Sequence, residues 1–130
     1  MKTVVALPGE GIGIEVVEAA CEVLEGIGIP LKILHPPQGA AALAHHGTPI
    51  PDETKRAARE ADGVLFGAAG PSSSAVVTWL RWEMEAYAGV RPVRFFPGMH
   101  SPLRDPDGID YVILRENSQE IGRASCRERV

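Results

Sequence analysis

Short β-rich runs alternate with helix-forming segments in the first half of the chain, and this alternation constrains the fold more than any other feature. The β-rich runs cover residues 3–7, 31–34 and 63–66. Three helical patterns lie between them: one from about residue 14 to 25, one that ends at about residue 46, and one from residue 52 to about 60. Such alternation is typical of a mostly parallel sheet with helices on both faces. The sequence therefore predicts a doubly wound α/β layer.

A glycine-rich turn follows the first predicted strand. Gly9, Gly11 and Gly13 resemble part of the dinucleotide-binding pattern G-x-G-x-x-G, but Ile14 or Val16 stands where its last glycine belongs. No acidic residue ends the second strand to bind a ribose hydroxyl, and the Gly-Lys-Ser/Thr ending of a P-loop is also missing. The pattern therefore predicts a tight strand-to-helix turn and not a Rossmann fingerprint.

Composition and charge exclude several classes of function. The chain has 130 residues and a net charge of −4, which suits one soluble domain with a core. It has neither a membrane-spanning apolar run nor a signal-peptide pattern, so we expect a cytoplasmic protein with no membrane partner. Its basic residues are scattered singly, which argues against a nucleic-acid partner. No pair of histidines has metal-ligand spacing. Cys21 shares the helical phase of apolar residues, which favours a buried hydrophobe over a nucleophile.

Small residues follow the third predicted strand and form the best candidate for a cofactor-binding loop. Such residues at the carboxyl end of a buried strand let a planar ring or a phosphate approach the backbone. A plain turn is the alternative, although a bare turn would not need four small residues in a row. The candidate residues are Gly67, Ala68, Ala69, Gly70, Pro71, Ser72, Ser73 and Ser74.

Three arginines occupy positions that suit a site for a small dicarboxylate. Arg81 lies in a predicted helix that follows the serine-rich turn and ends at Gly89; Arg91 precedes a proline and is therefore held extended. Arg115 ends the next apolar strand. A guanidinium presents a planar fork of donors that matches a carboxylate. Arg94 points to the other side of the strand that carries Arg91, so we assign it a structural role.

The order of these motifs resembles the isocitrate/isopropylmalate/tartrate dehydrogenase family. The resemblance implies an incomplete three-layer α/β sheet domain over residues 1–98, of the isopropylmalate-dehydrogenase type, with the start of a second domain over residues 99–119. Glu10 and Ile14 depart mildly from the aspartate and proline that are more usual in the family. The matching segments are residues 7–16, 61–70, 80–81, 87–94, 101–103 and 108–118.

The resemblance implies an oxidative decarboxylation of a 2-hydroxy acid that depends on NAD, or alternatively NADP, and on Mg²⁺ or Mn²⁺. Arg81, Arg91 and Arg115 would then contact the carboxylates of a small di- or tricarboxylate substrate, and the loop over residues 67–74 would hold the cofactor. The metal ligands and the catalytic lysine and tyrosine would lie beyond residue 130. We therefore assign no catalytic or metal-binding residue, expect the chain alone to be inactive, and expect a homodimer at full length.

One face of the helix that carries the first arginine reads the substituent on the substrate's third carbon in this family. Ser74, Val77 and Thr78 share that face by their spacing. Ala75 and Val77 stand where isocitrate enzymes tend to place a serine and an asparagine, which disfavours an isocitrate-specific pocket. Val77 and Thr78 suit 3-isopropylmalate or a malate- or tartrate-like acid, and residues 115–118 lean toward the tartrate type.

The last residues, 120–130, resemble the conceptual translation of a common sequencing adapter. This predicts a non-native tail on an N-terminal fragment, with a natural basic tail as the alternative.

A second function also stays open: the chain could be a non-catalytic paralogue that acts as a binding or regulatory subunit of a related dehydrogenase. Continuous family-like coding sequence through codon 120 favours the fragment, whereas a reproducible stop after Val130 favours the subunit.

Overall fold

The computed structural model describes residues 1–117, and their contacts divide the chain into two compact units, Met1–Trp79 and a second unit from Leu80 onward. The predicted start of a second domain at residue 99 stays a prediction, and the predicted tail lies outside the described residues. The elements are β1 (Lys2–Gly9), α1 (Gly13–Gly26), β2 (Leu31–Leu34), α2 (Gly39–His46), α3 (Asp52–Glu60), β3 (Gly63–Ala68), α4 (Ser74–Trp82), β4 (Ala88–Arg94) and β5 (Asp110–Glu116).

The first unit is built on a three-stranded parallel sheet with the strand order β2-β1-β3. The central strand β1 is apolar and β-branched, and its residues Val5, Ala6 and Leu7 are fully buried. β1 also runs past Pro8, where the sequence predicted its end. It continues because the chain after Pro8 still pairs with β3, and the Glu10 amide donates to the Ala68 carbonyl at 2.8 Å.

Helix α1 covers one face of this sheet. Val17 and Cys21 on the helix form a core cluster with Ala6, and Ile33 and Leu65 pack against it from the neighbouring strands. Burial raises the pKa of the Cys21 thiol, and the nearby carboxylate of α1 raises it further. A thiol with a raised pKa holds less thiolate at neutral pH, so Cys21 serves as a buried hydrophobe, in agreement with the sequence prediction.

Helix α3 lies on the opposite face. Successive residues of a strand point to opposite faces of the sheet. Thr3 and Leu34 alternate with the strand residues that meet α1, so they point to the other face. These two residues line a cavity together with residues of α3. The sheet therefore has helices on both sides, and the predicted α/β architecture is confirmed. The cavity-lining residues of α3 are Glu53, Arg56, Ala57 and Glu60.

Helix α4 is shorter than the sequence predicted, because it ends at Trp82 instead of continuing to Gly89. The chain leaves it through two hydrogen bonds typical of a Schellman cap: Glu85 N–H to the Trp82 carbonyl at 3.3 Å, and Ala86 N–H to the Arg81 carbonyl at 3.0 Å. Glu85 takes the left-handed conformation in this cap, with φ of 50°. A left-handed residue cannot continue an α-helix, so the chain turns and enters β4.

The second unit contains an antiparallel strand pair. β4 and β5 pair from Ala88 opposite Glu116 to Arg94 opposite Asp110. Every residue of β5 is exposed, although its sequence is mostly apolar. In the described part of the chain the pair has two strands only, so burial of its faces needs further elements. β5 also extends to Glu116, one residue beyond the strand end that the sequence predicted at Arg115.

Among residues 1–117, no helix is both long enough and apolar enough to span a bilayer.

Candidate active site

Arg91 and Arg115 lie on one face of the β4–β5 pair. Arg91 is opposite Ile113, and Arg115 is opposite Gly89. Residues directly opposite each other share a face, and so do residues two positions apart along a strand. The two arginines are therefore diagonal neighbours, about 7–8 Å apart, a separation that their long side chains can span. Both are exposed. This face thus presents two guanidinium groups that can converge on one small anion.

Arg94 lies on the other face of the same strand pair. Its Nε is 3.6 Å from Oδ2 of Asp110, the residue directly opposite it, and its guanidinium lies 5.9 Å from the centre of the Phe96 ring. Both ionic side chains are more than half exposed, so the pair adds little stability. The register nevertheless separates Arg94 from the face of Arg91, as strand alternation predicted.

Arg81 lies in the last turn of α4, and Ser74, Val77 and Thr78 precede it on the same helix. The Thr78 hydroxyl donates to the Ser74 carbonyl at 3.1 Å, and the Ser74 hydroxyl donates to the Pro71 carbonyl at 2.9 Å. Both side chains are exposed, so their oxygens can still accept a hydrogen bond. The predicted helical spacing is present, and the contact of these residues with a substrate stays a prediction.

The small-residue loop follows the carboxyl end of β3, and close packing leaves no room for a side chain at two of its glycines. A Cβ on Gly67 would lie 2.8 Å from Cγ2 of Val17 and 3.0 Å from the Gly13 carbonyl oxygen. A Cβ on Gly70 would lie 2.8 Å from Cδ of Glu10. Contacts closer than about 3 Å are not tolerated without a shift of one partner. Close packing within the first unit therefore requires these glycines, whether or not a cofactor approaches the loop.

Ser73 shapes this loop from the inside. It is fully buried, and its Oγ accepts a hydrogen bond from the Gly70 amide at 2.8 Å. The hydroxyl therefore stabilises the turn before α4 and does not reach solvent. The remaining loop residues with exposed or half-buried surfaces that a cofactor could reach are Ala69, Pro71, Ser72 and Ser74.

Two side-chain oxygens are buried beside the turn that follows β1. Glu10 Oε1 and Gln38 Oε1 have no hydrogen-bond partner among residues 1–117. Gln38 Nε2 donates to the Gly9 carbonyl at 3.0 Å, and the Glu10 side chain lies against Gly70. In the sequence, Glu10 was notable only because the family more often has an aspartate at this position. Nothing in its local pattern indicated that its side chain would lie against the candidate cofactor loop.

The described residues do not supply a metal site. No three histidine, cysteine, aspartate or glutamate side chains within residues 1–117 are arranged to hold a metal ion. A Mg²⁺ or Mn²⁺ ion needs several oxygen ligands in one place. The described part of the chain therefore does not fit the divalent metal that the family resemblance implies.

The described residues define an α/β protein with a small-residue loop after one strand of its parallel sheet and, in the second unit, a strand pair that carries two arginines on one face. The chain belongs to the isocitrate/isopropylmalate dehydrogenase family, whose model matches residues 3–129. It is 42% identical to the 3-isopropylmalate dehydrogenase of Methanothermobacter thermautotrophicus, over 91% of this chain and 35% of that protein. It is 41% identical to a 3-isopropylmalate/3-methylmalate dehydrogenase of Methanocaldococcus jannaschii, over 93% of this chain and 35% of that protein.

Solved structures show the same relationship. An isocitrate dehydrogenase from Methylococcus capsulatus superposes with a TM-score of 0.75 at 32% identity, over 91% of this chain and 35% of that one. A β-decarboxylating dehydrogenase from Thermococcus kodakarensis gives a TM-score of 0.73 at 30% identity, over 92% of this chain and 35% of that one. The chain thus spans about a third of the length of the relatives it matches.

Proposed function

We propose that this chain forms the N-terminal part of an NAD(P)- and divalent-metal-dependent dehydrogenase that oxidatively decarboxylates a 2-hydroxy acid. The observation that carries the proposal is the shared face of Arg91 and Arg115. The names of the relatives support 3-isopropylmalate as a substrate, and a malate- or tartrate-like acid has the same pair of carboxylates. The full-length enzyme is a cytoplasmic homodimer on this proposal.

The two arginines bind and orient the substrate. Each guanidinium donates two parallel hydrogen bonds to one carboxylate, and two such contacts fix the carbon chain between them against rotation. Arg81 contributes a third carboxylate contact from α4. Since the reaction removes one carboxylate as carbon dioxide, one arginine loses its ligand after the carbon–carbon bond breaks. The product is therefore held less tightly than the substrate, which favours its release.

The loop after β3 contacts the dinucleotide. A bound nicotinamide supplies the acceptor for the hydride that leaves the second carbon of the substrate. Ala69, Pro71, Ser72 and Ser74 present the accessible surface, while Gly67, Ala68, Gly70 and Ser73 hold the loop in place by packing and by the Ser73 hydroxyl. On this proposal the metal ligands and the proton-transfer groups come from outside residues 1–117, and we expect the chain alone not to reduce NAD.

A full-length chimera tests the proposal. Residues 1–117 of this chain replace the matching segment of the Methanothermobacter enzyme, and the unmodified enzyme serves as the control. Reduction of NAD and NADP is measured with 3-isopropylmalate, malate, tartrate and isocitrate, with Mg²⁺ or Mn²⁺. We expect metal-dependent reduction with at least one acid, and its loss in Arg91→Ala. A folded chimera that oxidises none of them would overturn the proposal and favour the non-catalytic subunit.

A further inference from the structure

Glu10 connects the turn after β1 to the loop after β3. Its backbone amide donates to the Ala68 carbonyl at 2.8 Å, at the end of β3. Its side chain continues along the loop to Gly70, where a Cβ would lie 2.8 Å from Cδ and 3.0 Å from Cβ of Glu10 and would also meet Oε2. The Glu10 carboxylate therefore occupies the space that a side chain at position 70 would take.

The second oxygen of this carboxylate lies beside another glycine. A Cβ on Gly39, the first residue of α2, would lie 3.8 Å from Glu10 Oε1 and 3.7 Å from the Ser73 Cβ. Oε1 is buried and has no hydrogen-bond partner among residues 1–117. The carboxylate thus lies in a slot between two glycines from different segments. Packing, and not a hydrogen bond of Oε1, holds it there.

Gly70 is the point at which this contact acts on the loop. Its amide donates to Ser73 Oγ at 2.8 Å, and its carbonyl accepts from the Ser74 amide at 2.9 Å. Both bonds lie within the loop, so they fix its internal shape but not its position relative to the sheet. Glu10 contacts Gly70 from outside the loop, and its own backbone is bonded to the end of β3. The position of the exposed loop residues therefore depends on the side chain at position 10.

We propose that Glu10 is a positioning residue for dinucleotide binding, and that it holds the loop after β3 in its binding conformation by filling the space over Gly70. The inference rests on the function proposed above. A loop that is already ordered loses less freedom when its ligand binds, so the ligand binds more tightly. A shorter side chain at position 10 leaves that space empty, and the loop can then move into it.

Side-chain length, and not charge, decides this role. Glu10→Gln keeps the length, and its amide adds an N–H donor in a region where Gln38 Oε1 is also buried without a partner among residues 1–117. Glu10→Asp keeps the charge but is one methylene shorter. Glu10→Ala removes both the length and the charge. The three variants therefore separate packing over Gly70 from the electrostatic effect of a carboxylate.

The first experiment measures kcat and both KM values in the full-length chimera, with the better of NAD and NADP and the best 2-hydroxy acid. We expect Glu10→Ala and Glu10→Asp to raise KM for the dinucleotide roughly three- to tenfold. The values of kcat and of KM for the acid should stay unchanged, as for the loss of a contribution to cofactor binding alone. Glu10→Gln should match the parent. Glu22→Ala, at an exposed glutamate of α1, is the matched control.

The second experiment needs no dinucleotide. Hydrogen exchange of the loop amides is measured in the 130-residue chain and in the chimera, both without cofactor. We expect faster exchange in Glu10→Ala and Glu10→Asp than in the parent, because the loop opens more often when the space over Gly70 is empty. Glu10→Gln and Glu22→Ala should exchange at the parent's rate.

The outcomes separate the inference from the function beneath it. In an active chimera, an unchanged KM for the dinucleotide or unchanged loop exchange in Glu10→Ala overturns the inference alone. A Glu10→Gln variant that behaves like Glu10→Ala also overturns it, since length would not be decisive. Equal rises of KM for acid and dinucleotide, with a lower melting temperature, show that Glu10 only supports packing and overturn it as well. A folded chimera that reduces neither dinucleotide overturns the inference and the proposed function together.

Discussion

Arg91 and Arg115 share a face of the β4–β5 pair because Arg115 stands opposite Gly89, two residues before Arg91. The relationship follows from register, since a shift by one residue would move Arg115 to the other face. Gly89 also leaves open the space next to Arg115, and the Asn117 amide fills it. The substrate contacts proposed for these two arginines thus depend on how the two strands pair.

Replacing Arg91 by lysine in the full-length chimera should impair catalysis even though the positive charge remains. Lysine is a point charge without the planar fork, so one of two parallel bonds to the carboxylate is lost. A charge-assisted hydrogen bond contributes about 1.5–3 kcal/mol, or roughly a ten- to hundredfold lower kcat/KM for the best 2-hydroxy acid.

Arg94→Lys is the matched control for this change, because Arg94 lies on the opposite face and contacts Asp110. It should leave kcat/KM nearly unchanged at saturating cofactor and metal. Equal losses in the two variants, or a larger loss for Arg94→Lys, would show that the arginine face is wrongly assigned.

Gly70→Ala should destabilise the first unit through a collision with Glu10. The new Cβ would lie 2.8 Å from Cδ and 3.0 Å from Cβ of Glu10, and it would also meet the carboxylate itself. We expect a loss of about 1–3 kcal/mol in the free energy of unfolding, as for other overpacked sites. The measurement is urea denaturation followed by circular dichroism.

A double-mutant cycle identifies the cause of that loss. In a Glu10→Ala background only the contact with Cβ remains, so Gly70→Ala should cost less there. An equal cost in both backgrounds would mean that the glycine is needed for another reason.

Glu85→Gly should stabilise the cap that ends α4. Glu85 is the one described residue other than glycine with a positive φ, and a left-handed conformation costs a side-chain-bearing residue about 1–2 kcal/mol. Part of this gain is offset because glycine has more freedom in the unfolded chain, so we expect a net gain of roughly 0.5–1 kcal/mol. Glu83→Gly, at a negative φ in the preceding turn, should destabilise instead. A denaturation midpoint lower in Glu85→Gly than in the parent would contradict the left-handed conformation assigned to residue 85 in this cap.

Asp62→Asn should make stability less sensitive to acid. The carboxylate accepts a hydrogen bond from Lys2 at 2.6 Å and one from the Thr3 amide at 2.8 Å, which hold the pKa of Asp62 below its usual value. A carboxyl whose pKa is lower in the folded state stabilises the protein above its unfolded pKa and loses that contribution as the pH falls through the folded pKa.

The melting temperature of Asp62→Asn should therefore lie below that of the parent at neutral pH, and the difference should shrink as the pH falls below the usual pKa of aspartate and through the lowered pKa of Asp62. Asp107→Asn is the control at an exposed aspartate. A difference that stays constant over this range would show that the ion pair does not cause the effect.

The sequence by itself determined the α/β layer, because its signals are local. The apolar β-branched residues of β1 and β2 and the glycines that follow β1 indicate where strands end and helices begin. The sequence also predicted that Arg91 and Arg94 point to opposite sides, since alternation along one strand needs no information from another. The family resemblance rests on the same ordered motifs, and the family match confirms it.

Tertiary structure alone decided which distant residues meet. Arg115 reaches the face of Arg91 through strand register, Asn117 fills the space over Gly89, and Glu10 lies against Gly70. Each contact joins residues that are far apart in the chain. The sequence around either residue carries no pattern that predicts the contact. The end of α4 at Trp82 was also missed, because the left-handed turn at Glu85 occurs at a residue type that rarely adopts it. Local propensity describes one residue's own backbone, whereas these features depend on which atoms of another segment occupy the space beside it.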